Sequence, residues 1–151
     1  MMKYVFILAF LGTSAYASIQ TSGLGFDYSA ATPEARLEFM QKQGDLMERR
    51  MKKALNAHYG YSTAITVKSV TAKTGSLSAI LNLDYTDKLS SYHKTRGKLT
   101  ELFCPEYVKM PISDHNLKVL VDMQDINGRR AGRFMLTQQD CAEFLPDSMR
   151  D

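Results

Sequence analysis

The chain is poor in the residue types and patterns that announce chemistry. It has two cysteines, Cys104 and Cys141, and the 36 residues between them are not the Cys-x-x-Cys spacing of a redox pair. Its three histidines, His58, His93 and His115, show neither the HxxxH nor the HxH spacing that sets two ligands on one face. The longest apolar run, residues 4–12, is about half the roughly 20 residues that a membrane-spanning helix needs. Gly-x-Gly-x-x-Gly and Walker-type loops are absent, which argues against nucleotides, and so is the Gly-x-Ser-x-Gly elbow of many serine hydrolases. Charge of one sign is lacking too: 19 Lys+Arg stand against 16 Asp+Glu, a net +3. Nucleic-acid binding calls for a concentrated basic face and is not expected.

What is present begins at the N-terminus. Met1-Met2-Lys3 supplies one cation, residues 4–12 an apolar stretch, and Ala15-Tyr16-Ala17 small residues at the −3 and −1 positions of a cleavage site. These are the three parts of a secretory signal peptide. Cleavage after Ala17 leaves a mature chain of 134 residues that starts at Ser18 and has no transmembrane anchor. Without Lys3 the mature chain carries 18 cationic and 16 anionic side chains, a net +2. No cysteine lies near the cleavage site to be acylated. In an oxidising compartment, periplasmic or extracellular, Cys104 and Cys141 most simply form one disulfide. Closing that loop stabilises the fold by roughly 3–4 kcal/mol on the chain-entropy model.

Residues 18–31 lack helical or strand periodicity and read as a flexible lead-in. Thr32-Pro33-Glu34 then supplies an N-cap, a first-turn proline and an acidic residue suited to the positive end of a helix dipole. A helix follows to about residue 58. Leu37, Met40, Gly44, Met47, Met51 and Ala54 recur at steps of three and four along one stripe, and Gly60 is placed to end it. The period then changes to two. Residues 62–73, with Ile65, Val67 and Val70, and residues 76–86, with Leu77, Ala79, Leu81, Leu83 and Tyr85, predict two strands joined at Thr74-Gly75. A second helix is predicted over 88–104, burying Leu89, Tyr92, Leu99, Leu102 and Phe103, with Pro105 barring continuation. Leu117, Val119, Val121 and Met123 predict a third strand, Asn127-Gly128 a type I′ hairpin, and residues 130–137, burying Phe134 and Leu136, a fourth. The sum is an α+β two-layer sandwich of order αββαββ. One domain spans 32–145, with a four-stranded, mostly antiparallel sheet, two helices on one of its faces, and a flexible tail over 146–151.

Candidate sites are sparse, and no catalytic, metal or cofactor residue is assigned. Asp122, Asp125, Asn127 and Gly128 bring a calcium loop to mind, but with Asp125 in its third position the first falls on Met123 and the twelfth on Phe134. His58 suits the negative end of the first helix, and His93 and His115 are expected to be solvated. Two basic groups, Arg49-Arg50-x-Lys52-Lys53 and Arg129-Arg130-x-x-Arg133, would attract an acidic partner or an anionic envelope polymer if they shared a surface. Met40, Met47 and Met51 fit a core stripe, and equally the adaptable surface that methionine makes. Phe26, Tyr28, Tyr59 and Tyr61 are candidates for an aromatic contact patch, with Arg129, Arg130 and Arg133 as further partner-binding candidates.

Together these point to a small exported, disulfide-bonded, non-catalytic binding protein. Its expected role is that of a periplasmic accessory or assembly factor of the cell envelope or of a secretion system, and its expected partner another envelope or secreted protein. Alternatives are a secreted inhibitor or immunity protein, and a small hydrolase using paired carboxylates, which would gather acids of raised pKa in one pocket. Intact mass spectrometry of exported material should give residues 18–151 less two hydrogens. A mass retaining residues 1–17, or two free thiols, would contradict the export and disulfide expectations.

Overall fold

A computed structural model describes residues 25–59, 64–84 and 89–147, without the side chains of residues 89–93. The expected signal peptide, residues 18–24 of the lead-in, Gly60, Tyr61, Tyr85, the tail from 148, and the side chains of Leu89, Tyr92 and His93 lie outside the described residues.

Helix α1 spans Pro33–Tyr59. It starts where its sequence says it should: Thr32 Oγ1 accepts the Ala35 N–H at 3.2 Å, and the Thr32 carbonyl takes the Arg36 N–H at 2.9 Å. Strands β1 (Ile65–Lys73) and β2 (Ser76–Leu83) form an antiparallel hairpin. Gly75 closes it at φ +72°, a left-handed conformation in which a side chain would be strained. Helix α2 (Leu89–Tyr107) and the one-turn helix α3 (Pro111–Asp114) lead to a second antiparallel hairpin, β3 (Lys118–Gln124) with β4 (Arg130–Leu136). The two hairpins meet through β2 and β3, which run parallel, so the sheet order is β1-β2-β3-β4. Two of the three pairings are antiparallel, as the alternation implies, and the parallel one is central.

The core lies between this sheet and the helices. Leu77, Ala79, Leu81 and Leu83 from β2, Val119, Val121 and Met123 from β3, and Phe134 and Leu136 from β4 are all buried. Against them α1 lays Phe39, Met40, Met47, Met51, Ala54 and Leu55, and α2 lays Leu99 and Phe103. The methionines are therefore core, filling irregular space under the helix rather than forming an adaptable surface. Gly44 sits where α1 runs close to β1. A Cβ there would touch Leu77 at 3.6 Å and lie 3.9 Å from the Ala72 nitrogen and the Val70 oxygen, so a bulky residue would push the helix off the sheet.

Four details differ from expectation. Val67 and Val70 are three residues apart yet serve the same side of the sheet, because a β-bulge between Val67 and Ser69 absorbs the extra residue, Lys68. The second helix passes Pro105 and ends at Tyr107. Proline removes one helical N–H, but the next turn closes through Val108 N–H to the Cys104 carbonyl at 3.0 Å, and buried Tyr107 donates its hydroxyl to the Leu117 carbonyl at 2.8 Å. Burial pushes the Tyr107 phenol up to about 12. The β3–β4 turn is not type I′: only Gly128 has positive φ, +74°, the Gly128 N–H reaches the Asp125 carbonyl at 3.0 Å, and a register shift follows Met123. That is a turn closed by a left-handed glycine, the longer hairpin solution. Finally, the lead-in is not loose over residues 25–31. Phe26 is 4% exposed and stacks on Phe39 with ring centroids 4.5 Å apart.

The Cys104–Cys141 disulfide is formed, with Cα atoms 5.2 Å apart, and it ties the last turn of α2 to the chain beyond β4. Among the described residues no helix is long and apolar enough to cross a membrane. If Phe26 anchors residues 25–31 as its packing implies, Phe26→Ala should lower unfolding free energy by roughly 3 kcal/mol, within the range for buried phenylalanine truncations. Urea denaturation of the two chains measures this; a loss under about 0.5 kcal/mol, the ordinary surface value, would show that the segment is not docked in solution.

Candidate functional site

Residues 26–31, the first two turns of α1 and the β1–β2 hairpin meet at one end of the molecule. The segment before the helix is folded on itself by Asp27, whose Oδ1 accepts the Ser29 N–H at 3.0 Å, the Ser29 hydroxyl at 2.6 Å and the Ala30 N–H at 3.2 Å. These bonds, the Ser29 hydroxyl first, hold the Asp27 carboxyl below the usual carboxylate range. Tyr28 is half-buried and accepts the Gly75 N–H on its hydroxyl at 3.2 Å, which fastens the segment to the hairpin. Its ring faces Arg36, whose guanidinium carbon lies 5.3 Å from the ring centroid while Nη2 donates to the Ser29 carbonyl at 2.5 Å. His115, expected to be solvated, instead sits edge-on to Phe39 at 5.7 Å and to Phe26 at 6.3 Å, behind this same segment.

This arrangement leaves a groove of about 190 Å³. Pro33, Leu37 and Met40 line it from the helix, Tyr28 from the segment, and Lys73 and Thr74 from the hairpin, with Arg36 at its side. Leu37 was expected on the core stripe but is 48% exposed, because the stripe turns to Phe39 and Met40 in the first turns of α1. Arg36 Nε is buried and has no hydrogen-bond partner among the described residues. The groove therefore combines an apolar floor open to solvent with the Arg36 guanidinium at its side, while Lys73, next to core-facing Ala72, turns its side chain to the other face of the sheet and adds to the field at Asp122. Sequence reasoning found Tyr28 but missed Arg36, Leu37 and Lys73, since only the fold brings the hairpin to the start of the helix.

The other candidates are distributed differently. Phe26 is buried and Tyr59 half-buried at the far end of α1, so the two do not form one exposed aromatic patch with Tyr28. Arg130 and Arg133 converge on one carboxylate, Asp122, on the side of the sheet opposite the helices. Arg133 Nε and Nη2 reach its two oxygens at 2.7 and 2.9 Å, and Arg130 Nε lies 3.2 Å from Oδ1. The register explains this, since Asp122 and Arg133 are directly paired across β3 and β4. The hydrogen bond from Arg133, with support from Arg130 and Lys73, lowers the Asp122 pKa and raises that of Arg133. Arg129 is exposed near the turn, its backbone N–H held by Asp125 Oδ1 at 2.8 Å. The same carboxylate takes the Asn127 N–H at 2.9 Å, so the acidic residue of the apparent calcium loop is engaged in the turn. The basic group on α1 does not join Arg130 and Arg133: Arg50 pairs with Glu106 of α2 at 3.0 Å and Lys52 with Glu48 at 2.6 Å, on the helical side. Among the described residues no cluster of three or more His, Cys, Asp or Glu is placed to hold a metal.

No family model matches the chain, and no curated protein matches it in sequence. Among solved structures it is similar to the type II secretion system pilotin AspS from Vibrio cholerae, at 10% identity and a TM-score of 0.45. It is also similar to the type 2 secretion system pilotin EpsS from Vibrio vulnificus, at 11% identity and a TM-score of 0.45. Each comparison covers 66% of this chain and 96% of the other. Neither the identity nor the superposition is high enough to carry residues or roles from those proteins to this one.

The Asp122 pair sets a pH dependence with a definite sign. A carboxylate whose folded pKa is depressed adds stability above its unfolded pKa of about 3.9 and loses it as pH falls through the lower folded value. Arg133→Gln should therefore be less stable than the parent at pH 7, and the gap should close as pH drops below about 4. Thermal melts of both chains from pH 7 to pH 2.5 would show it; a gap independent of pH would mean that Arg133 contributes through packing alone.

Proposed function

We propose that this protein is an exported, disulfide-stapled binding module that acts without catalysis, as an accessory or assembly factor of the cell envelope or of a secretion system, and that it engages its protein partner at the groove between α1 and the β1–β2 hairpin. The observation that carries this reading is the groove itself: Leu37, almost half exposed, lies on an apolar floor beside Arg36. An anchor pocket of this kind, bounded by a few polar groups, is how interfaces concentrate binding energy. The N-terminal sequence supports export, and the Cys104–Cys141 bridge is in keeping with an oxidising compartment.

The hydrolase alternative calls for a carboxylic acid of raised pKa, and neither Asp27 nor Asp122 supplies it. Asp27 and Asp122 are both moved downward, so each is ionised at neutral pH and unsuited to be the acid of a carboxylate pair. Asp122 is in addition occupied by two guanidinium groups. The inhibitor or immunity reading uses the same kind of contact and differs only in who the partner is.

The test is crosslinking and capture from native cell envelope with the oxidised chain 18–151 carrying a C-terminal tag, beside a Leu37→Asp variant. A stoichiometric partner should come down with the parent chain and be lost with Leu37→Asp. The thermal midpoint should barely move, since an exposed substitution ordinarily changes stability by about 0.5 kcal/mol or less. Equal capture by both chains would remove the groove from the interaction, and capture of nothing by the parent would overturn the protein-partner reading.

A further inference from the structure

We infer that the face of the sheet turned away from the helices is a second contact surface, separate from the groove, and that it takes an amphipathic helix whose apolar seam is flanked by carboxylates. Both helices cover one face, so the other is made by the strand residues that alternate with the core. Leu120 and Met135 are direct partners across β3 and β4, and Ile80 on β2 lies diagonal to Leu120. Ile80 and Leu120 are half-buried and Met135 is 45% exposed. These three make an aliphatic strip across β2, β3 and β4, two strand spacings or about 10 Å wide, which matches the diameter of a helix. A helix bonds its own backbone groups and can therefore lie on a sheet face, where an extended segment would find no strand to pair with.

Cations surround the strip. Lys73 and Lys118 stand on either side of Ser76, at the end nearest the β1–β2 turn. At the other end Lys68 of β1 reaches over to β3, its Nζ donating to Gln124 Oε1 at 3.4 Å, and Arg130 and Arg133 share Asp122. The four strands thus carry five cationic side chains and a single carboxylate, which two guanidinium groups already hold. The excess positive charge repels a second copy of the same face and attracts acids. Ile80 and Leu120 also lie deeper than the exposed Lys68, Lys73 and Lys118, which favours side chains projecting from a protein segment over a flat lipid surface. The complement is an apolar seam between acids, and a basic flank is repelled.

Three capped peptides of about 18 residues, about 27 Å long as helices, test this against isotopically labelled chain 18–151 by NMR. One carries leucines along one face flanked by glutamates; the second has lysines in place of the glutamates, and the third serines in place of the leucines. The first should shift the backbone amides of Ser78, Leu120 and Met135 and leave Leu37 and Met40 in place, while the other two should shift none of them. Added salt should weaken it. Met135→Asp should abolish the shifts, and Lys118→Glu should weaken binding roughly tenfold. Lys53→Glu, the same change of charge at an exposed position of α1, should alter binding by less than about twofold, because it lies on the other side of the molecule. The inference is overturned if the lysine peptide shifts the same amides as far, if no peptide shifts them, or if Lys53→Glu weakens binding as much as Lys118→Glu. It is also overturned if anionic phospholipid vesicles shift these amides and the acidic peptide does not, or if the chain forms a dimer that Met135→Asp disperses. Leu37→Asp keeps the two surfaces apart: it should cost envelope capture at the groove and leave the glutamate peptide bound.

Discussion

Strands β2 and β3 lie side by side and parallel at the centre of the sheet, and most of the molecule follows from that pairing. Parallel neighbours cannot be joined by a tight turn, so the chain leaving Leu83 must return the length of a strand before it can re-enter at Lys118. Helix α2 makes that return across one face. There it packs beside α1 and brings Cys104 to the end of its path, next to where the chain emerges from β4. The disulfide therefore locks the crossover to the second hairpin. Both helices lie on the same side, which seals Leu77, Leu81, Val119, Val121 and Met123, while Asp122, Arg130 and Arg133 are left on the other.

The N-terminal segment uses the remaining edge of that layered core. Phe26 stacks on Phe39, Tyr28 bonds to the β1–β2 turn, and Arg36 bridges back to Ser29. Each contact is modest, but together they hold residues 26–31 against two elements that are far apart in sequence. The groove is a by-product of this docking: the segment, the helix start and the hairpin converge without filling the space between them. A weak local anchor thus gives defined shape to a surface that a loose lead-in would not have.

Local patterns in the sequence were sufficient for what depends on neighbours along the chain. Thr32-Pro33 marks the start of α1, the alternation in β2 and β3 marks their buried faces, and Met40, Met47 and Met51 mark the stripe that covers them. What stayed hidden depends on partners distant in sequence. Val67 and Val70 read as a broken alternation until the bulge at Lys68 restores the phase. Pro105 reads as a stop until Tyr107, buried and bonded to Leu117, holds one more turn in place. Phe26 sits in a stretch with no periodicity, so nothing local says that its ring reaches Phe39. The groove was the least legible part, since Leu37 fits the α1 stripe by spacing and is left exposed because the buried stripe runs through Phe39 and Met40 there. The paired register of Asp122 with Arg133 was equally invisible, because an arginine cluster looks the same in sequence whether or not a carboxylate faces it.

That last pair bears on how charge should be weighed here. A net charge of +3 over the whole sequence gives little long-range attraction for any partner. Yet the sum conceals how cations are distributed. Arg50, Lys52, Arg130 and Arg133 each have a carboxylate within salt-bridge distance, and such pairs attract a partner weakly because their fields largely cancel. A single exposed leucine is ordinary on a soluble protein, and so is a single unpaired cation. The combination is less ordinary. Leu37 lies on an apolar floor beside Arg36, which among the described residues has no carboxylate partner although six other cations have found one. Folding explains the paired cations through the cross-strand, interhelical and within-helix contacts they make. Arg36 is braced differently, by the Tyr28 ring and the Ser29 carbonyl, which fixes its guanidinium at the side of the groove.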